Sequence, residues 1–237
     1  MDRHQPHPAP STFTAPSLTA PSLAAPPFTA PSLAAPASAA PACAALTTER
    51  LRLRPFVFRD AEELFALHTD PEVMRYLDDA EPATPQTIEE RTLPHLMRHH
   101  HCVGGQAYFA AEESQSGRFI GWFELRPVNG GDASVLELGY RLGRVAWGHG
   151  YATEGSTALL RRAFTASAAE TVVAETMSVN ARSRRVMEKV GMRHVRTFFQ
   201  EWPHPLPGSE HGEVEYAISR EEWTRTHQAP SVAHGHS

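Results

Sequence analysis

Cysteine, lysine and long apolar runs are the features that this 237-residue sequence has least of. The two cysteines, Cys43 and Cys102, are too few for a disulfide framework, which fits a reducing compartment and leads us to expect a cytoplasmic protein. Lys189 is the only lysine among 22 basic residues, and the net charge is −5 without a basic run, so nucleic acid is not an expected partner. No apolar run approaches the roughly 18 residues that a membrane-spanning helix needs, so no membrane association is expected.

Charge is also nearly absent from residues 1–45, which hold half of the 20 prolines but only two charged side chains. A five-residue unit, Ala-Pro-Ser-Leu followed by Thr or Ala, begins at Ala15 and returns at Ala20 and Ala30. Proline at this spacing opposes a helix, and isolated apolar side chains cannot build a core, so the composition predicts a disordered tail. The tail is either an extension without function or a proline-rich arm that binds a partner.

The rest of the sequence carries strand and helix patterns, and we expect a folded domain over residues 46–225 with a flexible segment at 226–237. Asp60 is expected to cap the first helix, and Pro94 to kink the third. The patterns predict strands at 50–54, 105–113, 119–128, 134–142, 171–179, 192–200 and 213–219, and helices at 60–68, 70–76, 84–100, 152–167 and 181–190. This order predicts a mixed α/β sheet of about six to seven strands flanked by helices, in which an antiparallel meander feeds strand–helix units. Hairpin turns are expected at 116–117 and 129–132.

One loop carries a chemical signal. Residues 147–154, Trp-Gly-His-Gly-Tyr-Ala-Thr-Glu, join a predicted strand to a predicted helix. Gly148 and Gly150 allow the backbone to turn so that several N–H groups point in one direction, and the following helix adds the positive end of its dipole. The loop therefore predicts an anion cradle suited to a pyrophosphate. Its spacing fits neither a Walker A loop nor a Rossmann fingerprint, and glycine pairs of this kind also occur in plain tight turns.

A second signal lies at the next junction between a strand and a helix, where Asn180 is followed by Ser183. By itself, Asn180 is typical of a residue that caps a helix, and Ser183 is a polar residue on the first turn.

Together these segments resemble the GNAT superfamily of acyl-CoA-dependent N-acyltransferases. They look most like the branch that includes the ribosomal-protein N-terminal alanine and serine acetyltransferases. Five segments in the same order carry the resemblance: residues 47–54, 69–77, 137–142, 147–154 and 180–192.

The resemblance implies a splayed central sheet with acetyl-CoA bound in the opening between two parallel strands. It implies that pantetheine pairs with the edge of residues 142–145, that Asn180 bonds the pantetheine arm, and that Ser183 lies near the CoA sulfur. The full set of implied cofactor contacts is Leu142, Gly143, Arg144, Val145, Gly148, His149, Gly150, Tyr151, Ala152, Thr153, Asn180 and Ser183.

In the resembled fold the amine attacks the thioester directly, so Cys102 is not expected to be a nucleophile. Many members carry a tyrosine acid seven residues after the asparagine, but this position is Met187 here, which leaves Ser183 as the donor to the departing sulfur. Glu137 either acts as the base, directly or through water, or is an exposed strand residue. Tyr140 is expected to be a core residue.

The remaining candidates are histidines. His95 and His99 are four residues apart on a predicted helix, but no third ligand follows at zinc spacing, so we expect a solvated helix end and no metal. His149 could add a phosphate contact when protonated. The expected function is transfer of an acetyl group from acetyl-CoA to a primary amine, either a protein N-terminus or a small molecule, by a monomer or homodimer. The alternative is a non-catalytic acyl-CoA sensor.

Overall fold

The computed structural model describes residues 45–77, 82–98, 107–128, 133–202 and 205–227, in which the chain forms eight strands and seven α-helices. The strands are β1 (Leu46–Thr47), β2 (Leu51–Arg54), β3 (Ala107–Glu113), β4 (Phe119–Pro127), β5 (Val135–Leu142), β6 (Thr171–Met177), β7 (Arg193–Phe198) and β8 (Glu213–Ser219). The helices are α1 (Ala61–Thr69), α2 (Pro71–Met74), α3 (Pro85–Thr87), α4 (Leu93–Arg98), α5 (Tyr151–Ala166), α6 (Ala181–Lys189) and α7 (Arg220–His227). All described strands join one sheet in the order β1-β2-β3-β4-β5-β6-β8-β7.

The middle of the sheet is an antiparallel meander of β3, β4 and β5. Gly117, in the turn between β3 and β4, has a φ of 69°, which a glycine adopts without the strain that a Cβ would bring. Side chains alternate along the strands, so that Phe123 and Leu125 point to one face and Trp122 and Glu124 to the other. The meander predicted from the sequence is confirmed.

The two faces of the sheet are covered by different helices. Helices α5 and α6 pack on one face, here called the α5 face, over a core that includes Leu138, Leu159 and Met187. Helix α1 and the helical stretch around α4 cover part of the other face, here called the α1 face, over a smaller core that includes Leu64 and Leu96. The predicted mixed α/β sheet flanked by helices is therefore confirmed.

One parallel pair interrupts the antiparallel order, and it is short. Strands β5 and β6 pair only between residues 135–137 and 171–173. Beyond this point β5 remains bonded to β4 as far as Leu142, and β6 remains bonded to β8 as far as Met177. Each strand thus keeps its other neighbour while the two diverge, and the sheet opens between them as the resemblance implied.

The helical stretch from Pro85 to Arg98 changes its hydrogen-bond spacing in the middle. The Thr84 hydroxyl accepts from the Thr87 N–H and caps the stretch. The five residues Ile88–Thr92 then form a π-helical turn, in which the Leu93 N–H donates to the Ile88 carbonyl five residues back. Pro94 follows at once and has no N–H to continue an α-helical bond, so the irregularity lies where the sequence predicted a kink.

The sheet has eight strands and not the predicted six to seven, because β1 was not predicted. Helix α7 was not predicted either. Strand β1 has two residues and pairs with β2 alone, and so short a segment has no periodic pattern to recognise. Helix α7 is largely charged and buries Trp223 as its one fully covered residue.

The predicted role of Asp60 is wrong in detail. Asp60 precedes α1, but its side chain makes no cap hydrogen bond to that helix. Its carboxylate instead accepts two bonds from the Arg54 guanidinium, at 2.7 Å each, and one from the Val57 N–H. Arg54 also binds Glu112 at 2.7 Å, so a buried cation between two carboxylates ties the start of α1 to the sheet.

Several sequence predictions lie outside the described residues: the tail at 1–44, Cys102, the histidines at 99–101, the turn at 129–132 and the last ten residues. Across the part of the chain that is described, none of the helices combines the length and the apolar character required to cross a membrane.

Gly155 offers a test of how closely α5 lies on the sheet, since a Cβ added there would overlap the Phe123 ring. At an open helical position, replacing glycine by alanine stabilises by about 1 kcal/mol. Here we expect Gly155→Ala to destabilise by about 1–3 kcal/mol because the packed core cannot accept the extra atom. The measurement is urea unfolding of both proteins. In a protein that already carries Phe123→Leu, the same Gly155→Ala change should cost less, because the ring that the new Cβ would overlap is gone. A stabilised Gly155→Ala protein would contradict the close approach.

Candidate active site

The site is built around the opening between β5 and β6. Because β5 pairs with β6 only up to Glu137, its edge from Leu138 to Leu142 faces the gap without strand pairing, and so does the edge of β6 from Ala174 to Met177. Both strands end on the same side, where β5 leads to the glycine loop and α5, and β6 leads to α6. Exposed main-chain edges of this kind accept a polar, extended ligand.

The glycine loop places a helix start at the end of β5. Gly148 and Gly150 both adopt left-handed conformations, with φ of 77° and 81°. Gly150 immediately precedes α5, and the first backbone bond of the helix runs from the Glu154 N–H to the Gly150 carbonyl. The N–H groups of residues 151–153 precede that bond, so they lie at the positive end of the helix where an anion is stabilised.

Two long-range contacts fix this loop. The Glu154 carboxylate accepts hydrogen bonds from the Thr48 hydroxyl at 2.6 Å and from the Arg50 N–H at 2.8 Å. The Arg50 guanidinium bonds Glu154 at 2.6 Å and also donates to the His149 carbonyl at 2.9 Å. Burial works against ionisation of Glu154, but the bonds from Thr48 and Arg50 prevail and lower its pKa.

Tyr151, the first residue of α5, is hydrogen-bonded to a side chain of β3. Its hydroxyl donates to Glu113 at 2.5 Å, and the Arg50 guanidinium lies 4.9 Å from its ring centroid. Sequence reasoning did not identify Thr48, Arg50 or Glu113 as supports of the loop. They lie far from it along the chain, and no local pattern signals such a contact.

The edge predicted to pair with pantetheine is shorter than expected. Strand β5 ends at Leu142, and Arg144–Ala146 form a 3₁₀ turn. The Leu142 carbonyl accepts from the Trp147 indole at 2.8 Å, and the Gly143 N–H donates to the Ile120 carbonyl at 2.9 Å. An extended edge through Val145 is therefore wrong, while contact of these residues with a cofactor stays a prediction.

An open groove of about 620 Å³ lies beside the turn and contains two cationic side chains. Arg182, on the first turn of α6, places its guanidinium 4.9 Å from the Trp147 ring centroid. Arg144 and the exposed Val145 come from the turn itself. The remaining lining residues are Asp70 and Glu72. The groove joins the end of β5 to the start of α6.

Asn180 and Ser183 meet the opening from the β6 side. The Asn180 side chain accepts from the Ser183 N–H at 3.2 Å and donates to the Thr176 hydroxyl at 3.0 Å, so it caps α6. The Ser183 hydroxyl lies 3.0 Å from the Tyr140 hydroxyl, which comes from β5 on the α5 face. Met187 is buried in the core. The structure thus brings Asn180, Ser183 and Tyr140 together across the gap.

Glu137 lies on the α1 face, at the last residue of β5 that pairs with β6. Its carboxylate binds Arg126 at 2.7 Å, and its side chain retains 24% of its exposure. Burial raises the pKa of Glu137 to about 7; Arg126 opposes this effect, and Glu124 and Glu175 add to it. Glu137 is therefore a half-buried carboxylate that titrates near neutral pH, and not the exposed strand residue that the sequence left open.

More carboxylates continue along the α1 face beyond the gap. Glu175 on β6 lies opposite Glu215 on β8. Partial burial and the neighbouring Glu215 raise the pKa of Glu175 to about 7. Glu213 is 5% exposed, and burial raises its pKa to about 7. The strand register puts all of these on one face with Glu137, so carboxylates cluster beside the opening, where Arg126 pairs with Glu137 and Arg196 with Glu215.

The described histidines do not belong to any group of side chains suited to a metal ion. His95 lies edge-on to Tyr108, with ring centroids 5.6 Å apart. Within residues 45–77, 82–98, 107–128, 133–202 and 205–227, no three His, Cys, Asp or Glu side chains form a group suited to a metal ion. His149 stacks beside Tyr151 at the loop, with ring centroids 5.9 Å apart.

The chain is similar to known proteins in both sequence and fold. Residues 50–193 match the family described as "Acetyltransferase (GNAT) domain". The chain is 38% identical over 194 residues to the FsC-acetyl coenzyme A-N(2)-transacetylase of Aspergillus fumigatus, an alignment that covers 79% of this chain and 80% of that protein.

Two solved structures show the fold. A GNAT-family acetyltransferase from Bacillus anthracis superposes with a TM-score of 0.64 at 25% identity, over 75% of this chain and 99% of that one. RimL, a ribosomal L7/L12 α-N-protein acetyltransferase solved with coenzyme A, superposes with a TM-score of 0.61 at 16% identity. The superposition covers 73% of this chain and 95% of that one. With a family match over more than half of its length, this chain belongs to the GNAT acetyltransferase family and is an acyl-CoA-dependent N-acyltransferase.

Proposed function

We propose that the protein transfers an acetyl group from acetyl-CoA to a primary amine by direct attack within a ternary complex. The observation that carries this proposal is the opening between β5 and β6, which has different chemistry on its two faces. Hydroxyl groups and the start of α5 lie on one face, and the near-neutral carboxylate of Glu137 lies on the other. A thioester lying in the gap would be reached from both faces.

The pyrophosphate of acetyl-CoA is proposed to bind the N–H groups of residues 151–153, with Gly148 and Gly150 shaping the approach. Arg144 and Arg182 line the adjoining groove and suit the phosphate charges. His149 lies beside this cradle and is proposed as a further contact. The unpaired edge of β5 before Leu142 is proposed to bond the pantetheine amides, with Asn180 on the opposite side.

The chemical step needs a base, an attacking amine and a leaving group. Glu137 is proposed to take a proton from the ammonium form of the acceptor, so that the free amine attacks the thioester carbonyl. The nitrogen of the tetrahedral intermediate then gives its surplus proton to water. The intermediate collapses with cleavage of the carbon–sulfur bond, and the Ser183 hydroxyl donates a hydrogen bond to the departing thiolate. The thiolate then takes its proton from solvent, which leaves Ser183 unchanged.

The acceptor is proposed to approach from the α1 face, where Glu137, Glu175 and Glu215 favour a positively charged amine. The name of the Aspergillus fumigatus relative specifies transfer to an N(2) atom of FsC. We infer by analogy that a small-molecule amine is the acceptor. The resemblance to the ribosomal-protein acetyltransferase branch makes a protein N-terminus the other candidate.

The test is release of free CoA thiol from acetyl-CoA in the presence of small-molecule amines or of peptides with free N-termini. The same peptides with blocked N-termini serve as the control without an α-amine. Thiol release that depends on a free amine, with the acetylated amine seen by mass spectrometry, is the expected result. Binding of acetyl-CoA by calorimetry without turnover on any amine would favour the sensor instead.

Gly150 tests the cradle. Gly150→Ala places a Cβ on a left-handed residue, which costs about 1–2 kcal/mol and turns the following N–H groups away. We expect the acetyl-CoA Kd to rise roughly ten-fold or more, the worth of one charge-assisted hydrogen bond. Gly191→Ala is the matched control, because Gly191 also has a left-handed φ, of 90°, and follows α6 at the end away from Asn180 and Ser183. If both variants bind acetyl-CoA like the wild type, residues 151–153 do not hold the pyrophosphate.

Glu137 tests the base. An ionised carboxylate is needed to accept the proton, so wild-type kcat/KM should rise with pH through about 7, the pKa of Glu137. Glu137→Gln should lower the rate by roughly 100-fold at neutral pH. The loss should shrink as pH approaches about 10, where a lysine-like acceptor amine loses its proton in water. The measurement is a pH–rate profile of both proteins.

Glu221→Gln, at an exposed carboxylate of helix α7, is the control and should keep the wild-type profile. A Glu137→Gln profile that still rises through neutral pH would assign the base to another group.

A further inference from the structure

The Ser183 hydroxyl has a partner that the proposed mechanism does not use. The Tyr140 hydroxyl lies 3.0 Å from it, across the opening from β5 to α6. The Tyr140 ring packs against the core on the α5 face, with its centroid 5.9 Å from that of Phe123. The two hydroxyls thus approach each other from separate elements at the point where β5 and β6 have parted.

The chemistry of the two hydroxyls decides which one donates. A phenol is far more acidic than an aliphatic alcohol, so the phenol is the better donor and the alcohol oxygen the better acceptor. Burial raises the pKa of Tyr140 to about 12, so its hydroxyl keeps its proton throughout the neutral range. The Tyr140 O–H is therefore available as a donor under all conditions in which the enzyme works.

Donation by Tyr140 has a consequence for the serine. A serine hydroxyl has one hydrogen and rotates freely unless its oxygen is held. When its oxygen accepts from Tyr140, the Ser183 hydrogen is directed away from the tyrosine and is free for another acceptor. If the serine donated to Tyr140 instead, its only hydrogen would be used. Asn180 meanwhile fixes the Ser183 main chain through its N–H.

We propose that Tyr140 is a positioning residue that donates to Ser183 and directs the serine hydrogen toward the departing sulfur. This inference rests on the proposed function. Two hydrogen bonds in series polarise each other, so the Ser183 hydroxyl also becomes a stronger donor. Tyr140 acts through Ser183 and does not itself need to touch the thioester. The core packing of its ring and the positioning role of its hydroxyl are separable, because Tyr140→Phe removes only the hydroxyl.

The test is a double-mutant cycle on kcat with Tyr140→Phe, Ser183→Ala and the protein with both changes. We expect Tyr140→Phe to lower kcat roughly ten-fold, as for one lost hydrogen bond along the reaction path, and to leave the KM for acetyl-CoA unchanged. In the Ser183→Ala background the same change should alter kcat by less than about two-fold, because its route of action is already removed.

Tyr216→Phe is the matched control. Tyr216 is a second buried tyrosine whose hydroxyl contacts the same helix, through Glu188 at 3.0 Å and Arg184 at 3.2 Å. Its loss should lower the melting temperature without lowering kcat. Comparable losses of kcat in Tyr140→Phe and Tyr216→Phe would mean that loosening of α6 explains both, and would overturn the proposal.

Two further results would also overturn it: wild-type kcat in Tyr140→Phe, or an equal loss from Tyr140→Phe with and without Ser183. A wild-type protein that binds acetyl-CoA but acetylates no amine would instead overturn the proposed function, and this inference with it.

Discussion

The divergence of β5 and β6 after three paired residues is the constraint on which the rest of the site depends. Unpaired backbone groups inside a protein are costly unless something satisfies them, so a sheet opens only where each strand is secured on its other side. Here β4 holds β5 from Leu136 to Leu142, and β8 holds β6 over its whole length. The antiparallel pairs therefore maintain the opening, and the parallel pair only sets its origin.

Everything that gives the site its chemistry is arranged by this opening. The strand alternation sends Glu137 to one face and Tyr140 to the other, three residues later along β5. Strand β5 leads through the glycine loop into α5, and β6 leads into α6. The start of α5 and Ser183, on the first turn of α6, are therefore placed at the same end. The carboxylates of the α1 face and the Tyr140–Ser183 pair of the α5 face therefore meet the same opening from opposite faces of the sheet.

The sequence revealed the parts of the site whose signals are local. Gly148 and Gly150 precede a helix within one loop, and Asn180 caps α6 three residues before Ser183, so local spacing together with the family resemblance made both site candidates. The contact between Tyr140 and Ser183 spans 43 residues, and Tyr140 reads as a core residue in its strand pattern. Strand β1 escaped prediction because two residues hold no period. The raised pKa of Glu137 depends on its burial and on the neighbouring Arg126, and both exist only in the assembled sheet.

The bond network of Glu154 has a consequence for folding. Its partners Thr48 and Arg50 precede it by 106 and 104 residues, so the geometry of the glycine loop depends on a contact that spans most of the domain. Closing so long a loop is entropically costly and follows the formation of nearer contacts. The loop therefore becomes rigid only once the first strands have joined the sheet. A fragment that lacks residues 48–50 would keep its glycines and its helix sequence but lose this clamp, so the shape of the loop depends on the arrival of the first strands.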